Sequence, residues 1–345
     1  MKSNLIACMI ICMSILGCKK EEPELVNSED LANSIFTGPP IPVEITNLWT
    51  VRKAHPPGNG PGDCAFVING RVFVFGWGDL GHPQQLWEYD DISQSWTMVS
   101  IFPGTFRKEA TAFSIGNKGY IFGGDQFSGS FLNELWEFDP TTYQWTRKAD
   151  NPILHVCDAV GFSINGKGYV STGFTYPETY SSLMEYDPTT DSWTQKASLP
   201  GYSRSGAFAF VVNNKAYVGG GEYHSYNANG DIDRTYLSDM WEYDPATDQW
   251  TPKANFVSKR YKAAAFSIGN TGYVGTGYTF SFWSLAYTKD FYAYNPSTNT
   301  WTKKSDYGGY ARYNAVGFAN NGYGYIGFGE TANGDGQNAL WRYDP

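Results

Sequence analysis

Leu135-Trp136-Glu137-Phe138-Asp139-Pro140-Thr141-Thr142-Tyr143-Gln144-Trp145-Thr146 reads as two short strands joined by a tight turn. Pro140 presets the backbone for a type I turn, and the small polar residues after it suit the bend. The aromatic at 138 and the Trp at 145 lie seven positions apart. The same spacing recurs as Tyr89/Trp96, Tyr186/Trp193, Tyr243/Trp250 and Tyr294/Trp301. Successive Trp residues of this series are 49, 48, 57 and 51 positions apart, a period in the range of propeller arrays. A sixth copy is split. Leu340-Trp341-Arg342-Tyr343-Asp344-Pro345 ends the chain without its Trp, while an unclaimed Leu48-Trp49-Thr50 sits ahead of the first copy. A repeat divided between the two ends implies a closed ring, with residues 44–53 supplying the outer strand of the last unit.

Working back from each Trp, every copy yields four strands, a to d. Strand a is small and apolar, as in Ala112-Phe113-Ser114-Ile115 or Gly161-Phe162-Ser163-Ile164. Asn69-Gly70, Asn165-Gly166 and Asn213-Asn214 follow it, residues that tolerate the positive φ of two-residue hairpins. Strand b reads Tyr120-Ile121-Phe122-Gly123-Gly124 or Tyr217-Val218-Gly219-Gly220-Gly221, and strand c reads Met240-Trp241-Glu242-Tyr243. The paired Gly, the Tyr-Asp-Pro and the Trp six residues after that Asp together resemble the kelch repeat over residues 45–345. The resemblance implies an all-β, six-bladed propeller of four-stranded antiparallel blades. Trp77, Thr172 and Met184 depart from the pattern without disturbing the architecture.

Residues 1–17 read as a lipoprotein signal peptide. Lys2 precedes an apolar stretch from Leu5 to Leu16 that is too short to span a bilayer. Ile15-Leu16-Gly17-Cys18 resembles a bacterial lipobox, which implies lipidation of Cys18 and anchoring to the envelope, the outer membrane in a Bacteroidetes-like lipoprotein. Residues 18–42, opening Cys-Lys-Lys-Glu-Glu and carrying Pro39, Pro40 and Pro42, read as the lipidated Cys and a flexible tether that leaves the propeller at its outer rim; the Lys-Glu-Glu resembles a surface-export signal. The propeller then occupies 43–345. Cys64 and Cys157 fall at unlike positions in different repeats, so two buried free thiols are expected. A formal charge of −9 argues against nucleic acid as a partner. A monomer is expected.

Function should sit where the copies disagree. Up-and-down topology puts the b–c loops and the d–a connections on one face, and the b–c loops vary. Six residues before the strand-a Phe stand Arg107, Arg204, Arg260 and Arg312; blade 3 has Val156 there, with His155 before it. After the last Gly of strand b come Asp125, Glu222 and Glu330, expected as intrablade partners of three of these arginines, either as structural ion pairs or as part of an anion or sugar site. Blade 5 has Tyr278 instead, so Arg260 is expected to lack a carboxylate and to be free for a ligand anion. The long loops of blades 4 and 5 carry His224, Tyr278 and Trp283, aromatic groups suited to stacking on sugars.

Catalytic signatures are weak. Neither Gly-x-Ser-x-Gly nor His-Glu-x-x-His occurs. Asn227 to Asp233 lacks the first Asp and the distant Glu of a calcium loop, and Asn333 to Gly336 reads as a turn, so no metal or other cofactor is expected. The kelch resemblance extends to a copper oxidase of galactose, excluded by the scattered His55, His82, His155 and His224, and to sialic acid mutarotase. The reading is a glycan- or protein-binding module. A mutarotase or epimerase of an acidic sugar, using Glu222 or His224 for proton transfer, is the alternative. A purely structural envelope lipoprotein is the third.

Overall fold

A computed structural model describes residues 47–55, 62–76, 83–126, 129–226, 229, 231–281, 284–333 and 338–345. Cys18 and Trp283 therefore lie outside the described residues, as do three of the seven residues 227–233 and three of the four residues 333–336. The described residues form strands and turns, with no helix among them.

The turn chemistry sets the local structure. Asn69 and Gly70 have φ of 49° and 78°, and Asn165 and Gly166 have 52° and 76°. Two successive left-handed residues give the hairpin whose twist matches its strands. In the c–d turns, Asp139 Oδ1 accepts from the Thr141 backbone N–H at 2.9 Å and its hydroxyl at 2.7 Å; Asp187 does the same for Thr189 at 2.8 and 2.6 Å.

Six four-stranded antiparallel sheets result. Blade 4 is typical, with strand a at Phe208–Val212, b at Lys215–Gly219, c at Met240–Asp244 and d at Gln249–Lys253. The innermost strands are Cys64–Ile68, Thr111–Ile115, Val160–Ile164, Phe208–Val212, Ala264–Ile268 and Val316–Asn320. Each touches the next, and the last touches the first, so they enclose an axial channel. The expectation of a six-bladed ring is met.

Closure occurs as the split repeat implies. Leu48–Arg52 is the outermost strand of blade 6 and pairs antiparallel with Leu340–Asp344, Trp49 opposite Tyr343. The seam reproduces a bond of the continuous blades. Tyr186, Tyr243 and Tyr294 donate their hydroxyls to Asp191, Asp248 and Asn299 at 2.7, 2.8 and 2.7 Å. Tyr343 donates likewise to Asn47 Oδ1 at 2.7 Å across the termini. Except at Trp145, the outer-strand Trp indoles staple neighbouring blades. Trp250 Nε1 donates to Ala197 O at 2.7 Å, Trp49 to Ser305 O at 3.2 Å and Trp96 to Lys53 O at 3.1 Å.

The core lies between blades rather than within them. Each hydrophobic cluster draws on two consecutive blades, including one that joins blade 6 to blade 1. The strand-a Phe stacks on the strand-b aromatic directly opposite, as in Phe210/Tyr217 at 5.1 Å and Phe318/Tyr325 at 5.0 Å. Its outer edge covers the glycine of the next blade: a Cβ on Gly272 would stand 2.1 Å from the Phe210 ring. Cys64 and Cys157 are both buried free thiols, as expected.

Candidate functional site

The arginine column is found inside the scaffold. Arg107, Arg204, Arg260 and Arg312 are each at most 1% exposed. Their Nη1 atoms donate to the carbonyls of Gly123, Gly220, Thr276 and Phe328 at 3.1, 3.1, 2.7 and 2.6 Å. All four acceptor residues have left-handed backbone, with φ of 68°, 63°, 59° and 61°. Each guanidinium thus ties down the bend that ends strand b.

The expected pairing with Asp125, Glu222 and Glu330 is not formed. These residues bridge instead to the position just after the arginine column: Lys108 with Asp125, Ser205 with Glu222, Tyr313 with Glu330. Successive side chains of an extended segment point to opposite sides, so the arginine faces away from that acid. It meets the residue ahead of strand c. Arg107 Nη2 contacts Glu134 Oε2 at 2.5 Å. Arg204 engages Asp239 through two bonds of 2.8 and 2.7 Å.

Arg260 holds Asp290 at 2.7 and 2.8 Å and also donates to Ser258 and Thr288. It is therefore not a free anion receptor, which corrects the sequence expectation. Burial alone would raise the Asp290 carboxyl, but the Arg260 fork outweighs it and holds the group below its usual value. In blade 6, Ala339 occupies the place of the acid, and Arg312 lies over the Tyr307 ring at 5.1 Å.

Two residues further along, the copies diverge. Gly62, Glu109, Asp158, Gly206, Lys262 and Asn314 form the rim of the channel on the b–c face. All have left-handed backbone, with φ from 51° to 95°. Their N–H groups donate around the rim to the preceding blade: Glu109 to Gly62, Asp158 to Glu109, Gly206 to Asp158, Lys262 to Gly206 and Asn314 to Lys262, at 2.8–3.2 Å. A non-glycine left-handed residue is uncommon, so charged side chains here are a costly choice. Lys262 Nζ sits between Glu109 Oε1 at 2.5 Å and Asp158 Oδ2 at 2.9 Å, 5.5 Å from the Tyr261 ring centroid. Burial, helped by Glu109, pushes the Asp158 carboxyl up despite Lys262. The Lys262 ammonium is held well above its usual value because the surrounding anions outweigh its burial.

This cluster forms one wall of a cavity of about 200 Å³ on the b–c face. Asp125, Phe131, Cys157, Phe174, Ser205, Glu222, His224, Arg234 and Tyr261 complete it, so blades 2 to 5 all contribute. Glu222 and His224 come from one strand of the blade 4 hairpin, Glu222–Tyr226 paired with Ile232–Tyr236. Being two apart, they face the same way. Glu222 Oε1 lies 3.0 Å from His224 Nε2, and each side chain is only 4% exposed. Their other polar atoms, Glu222 Oε2 and His224 Nδ1, are buried without a hydrogen-bond partner, as is Asp125 Oδ1. Phe174 packs edge-on against His224 at 5.1 Å and Phe131 against Phe174 at 5.7 Å.

Of the residues expected at a site, Glu222 and His224 are thus brought together. His155 is exposed and is not among the cavity-lining residues, though the neighbouring Cys157 and Asp158 are. Tyr278 stacks within blades 5 and 6, 4.2 Å from Tyr313 and 4.8 Å from Tyr287. Glu109, Asp158 and Lys262 were missed from sequence. Their signal was available four residues before the strand-a Phe, where the six copies read Gly, Glu, Asp, Gly, Lys and Asn.

Glu109, Cys157 and Asp158 offer donor atoms within 4.8 Å of one another. The cation between the two carboxylates is Lys262, and burial drives the Cys157 thiol far above its usual range, which keeps it a neutral, poor ligand. These residues do not fit a metal ion.

Comparison with known proteins agrees with the fold. The KLHDC2/KLHL20/DRC7 Kelch-repeats domain family matches residues 44–221, just over half of the chain, and a Kelch motif matches residues 203–256. No curated protein matches in sequence. The solved structure of YjhT superposes with a TM-score of 0.68 at 20% identity, covering 82% of this chain and 93% of that one, a likeness of fold alone.

Proposed function

The chain belongs to the kelch-repeat family, and we propose that it is a lipid-anchored cell-envelope protein whose propeller binds a glycan in the b–c face cavity. One observation carries the binding reading: Glu222 and His224 are almost fully buried, line an accessible cavity, and keep Oε2 and Nδ1 without a partner. A buried polar atom left unmade costs about 1–3 kcal/mol, so a scaffold has no reason to retain two of them side by side. The adjoining Phe131, Phe174 and Tyr261 provide the apolar faces on which sugar rings rest. The test is ligand-observed NMR against neutral, amino and acidic sugars, with Glu222→Gln as the control. Binding that survives this substitution unchanged refutes the assignment of the cavity.

A second reading is favoured by the 3.0 Å Glu222–His224 contact. A carboxylate beside an imidazole can exchange protons with an anomeric hydroxyl and its ring oxygen, so mutarotation is within reach of the same cavity. Anomer exchange followed by NMR separates it from binding alone. Exchange at the rate in free solution eliminates catalysis.

The anchor rests on Gly17-Cys18 after the apolar leader. Cys18→Ser should release the protein from membranes; continued pelleting with no incorporated lipid label overturns the lipoprotein reading.

A further inference from the structure

The charge of the cavity narrows its ligand. Four carboxylates line it, from Glu109, Asp125, Asp158 and Glu222, against two lining cations, Lys262 and Arg234, with Lys108 reaching Asp125 Oδ2 at 3.7 Å from outside the lining. Lys262 is committed to Glu109 and Asp158. Arg234 lies opposite His224 in the blade 4 hairpin and is exposed. The buried oxygens without a partner, Glu222 Oε2 and Asp125 Oδ1, are both carboxylate acceptors. What they lack is a donor.

The molecule already displays how this environment holds a cation. Lys262 places an ammonium among two carboxylates and the Tyr261 ring. The neighbouring half of the cavity offers Glu222 and Asp125 with Phe131 and Phe174, the same combination of carboxylate and aromatic edge or face. An anionic sugar would bring its carboxylate beside Glu222, already buried to 97%, where like charges repel with little solvent screening.

We propose that the cavity selects a ligand bearing a primary ammonium on a polyhydroxylated ring, that is, an amino sugar with its nitrogen free, and that Glu222 is the group that recognises it. The ammonium donates to Glu222 Oε2, His224 fixes the carboxylate through Oε1, and Phe174 covers the ring. This rests on the cavity being a sugar site and adds the sign of the charge.

Glucosamine, glucose, N-acetylglucosamine and glucuronate are titrated at matched ionic strength into the full chain carrying Cys18→Ser, with amide shifts reporting where each binds. Glucosamine should bind roughly tenfold or more tighter than glucose or N-acetylglucosamine, the effect of one charge-assisted bond, and glucuronate weakest. Glu222→Gln and, independently, Asp125→Asn should erode the preference, each with its melting curve as a check on folding. Arg234→Gln should leave it intact. Equal affinities for the amine and its acetamide, or a preference for glucuronate, overturn the proposal while the sugar site stands. No shift at cavity residues with any of the sugars overturns both.

Discussion

Trp49→Ala tests the closure on which every assignment of faces depends. The Trp49 ring meets Phe291, Tyr307 and Tyr343 at centroid distances of 5.0, 5.1 and 5.1 Å, two of them edge-on, and its indole donates to Ser305 O. A Trp buries at least about 150 Å². At about 25 cal/mol per Å² this is nearly 4 kcal/mol, reduced to about 3 kcal/mol because the unfolded chain already shields part of that surface. No cavity penalty is added, since Trp49 is partly open to solvent. With an unfolding entropy of about 2.1 cal/mol/K per residue over roughly 300 residues, the expected fall in Tm is about 5 °C. Trp250→Ala is the matched control: it removes the equivalent ring and staple from a blade made of continuous chain. Scanning calorimetry on both variants should give shifts that agree within about 1 kcal/mol. If Trp250→Ala lowers Tm and Trp49→Ala does not, the outer strand of blade 6 is not docked in solution and the ring is open.

Other consequences follow from the same contacts. Asp290→Ala leaves the Arg260 guanidinium buried with its carboxylate gone; because Asp290 is 26% exposed, the loss should be about 2 kcal/mol rather than the 3–5 of a fully buried pair, and an unchanged urea midpoint would show the pair to be dispensable. Gly272→Ala should cost about 1–3 kcal/mol by driving a methyl into Phe210; a stabilised variant would mean that the blades are less tightly apposed than their geometry indicates. Asp158 makes stability depend on pH in a particular direction. Its folded carboxyl, pushed up to about 7 by burial, binds protons that the unfolded carboxyl, near 4, has released. Asp158 therefore makes stability decline as pH rises from about 4 to about 7. Asp158→Asn should flatten unfolding curves measured across that window, and a slope identical to the parent protein would refute the assignment.

Much of the scaffold is legible because it is repeated. Five chances to see an aromatic residue, a tight turn and a Trp at fixed spacing average out the ambiguity of any single strand, and Trp49 declares the closure by being left over. The site is legible only in part. Glu222 and His224 stood out as chemistry-bearing residues in the longest loop, and the cavity brings them together. Arg260 misled, because Tyr278 in place of the acid after strand b was taken to leave it without a carboxylate, while the pleat turns the arginine side chain away from that position and toward Asp290. Glu109, Asp158 and Lys262 lie 49 and 104 positions apart in sequence, and nothing local says that their side chains converge.

The sequence by itself determined the ring, the number of blades and the face that varies, since these depend on local turn geometry and on a periodic pattern of apolar and aromatic residues. Tertiary structure alone decided which charges meet. Placing a carboxylate against an ammonium across the channel rim depends on the angle between blades and on left-handed residues that hold each side chain at the mouth. Those are properties of the closed ring, absent from any one of its copies.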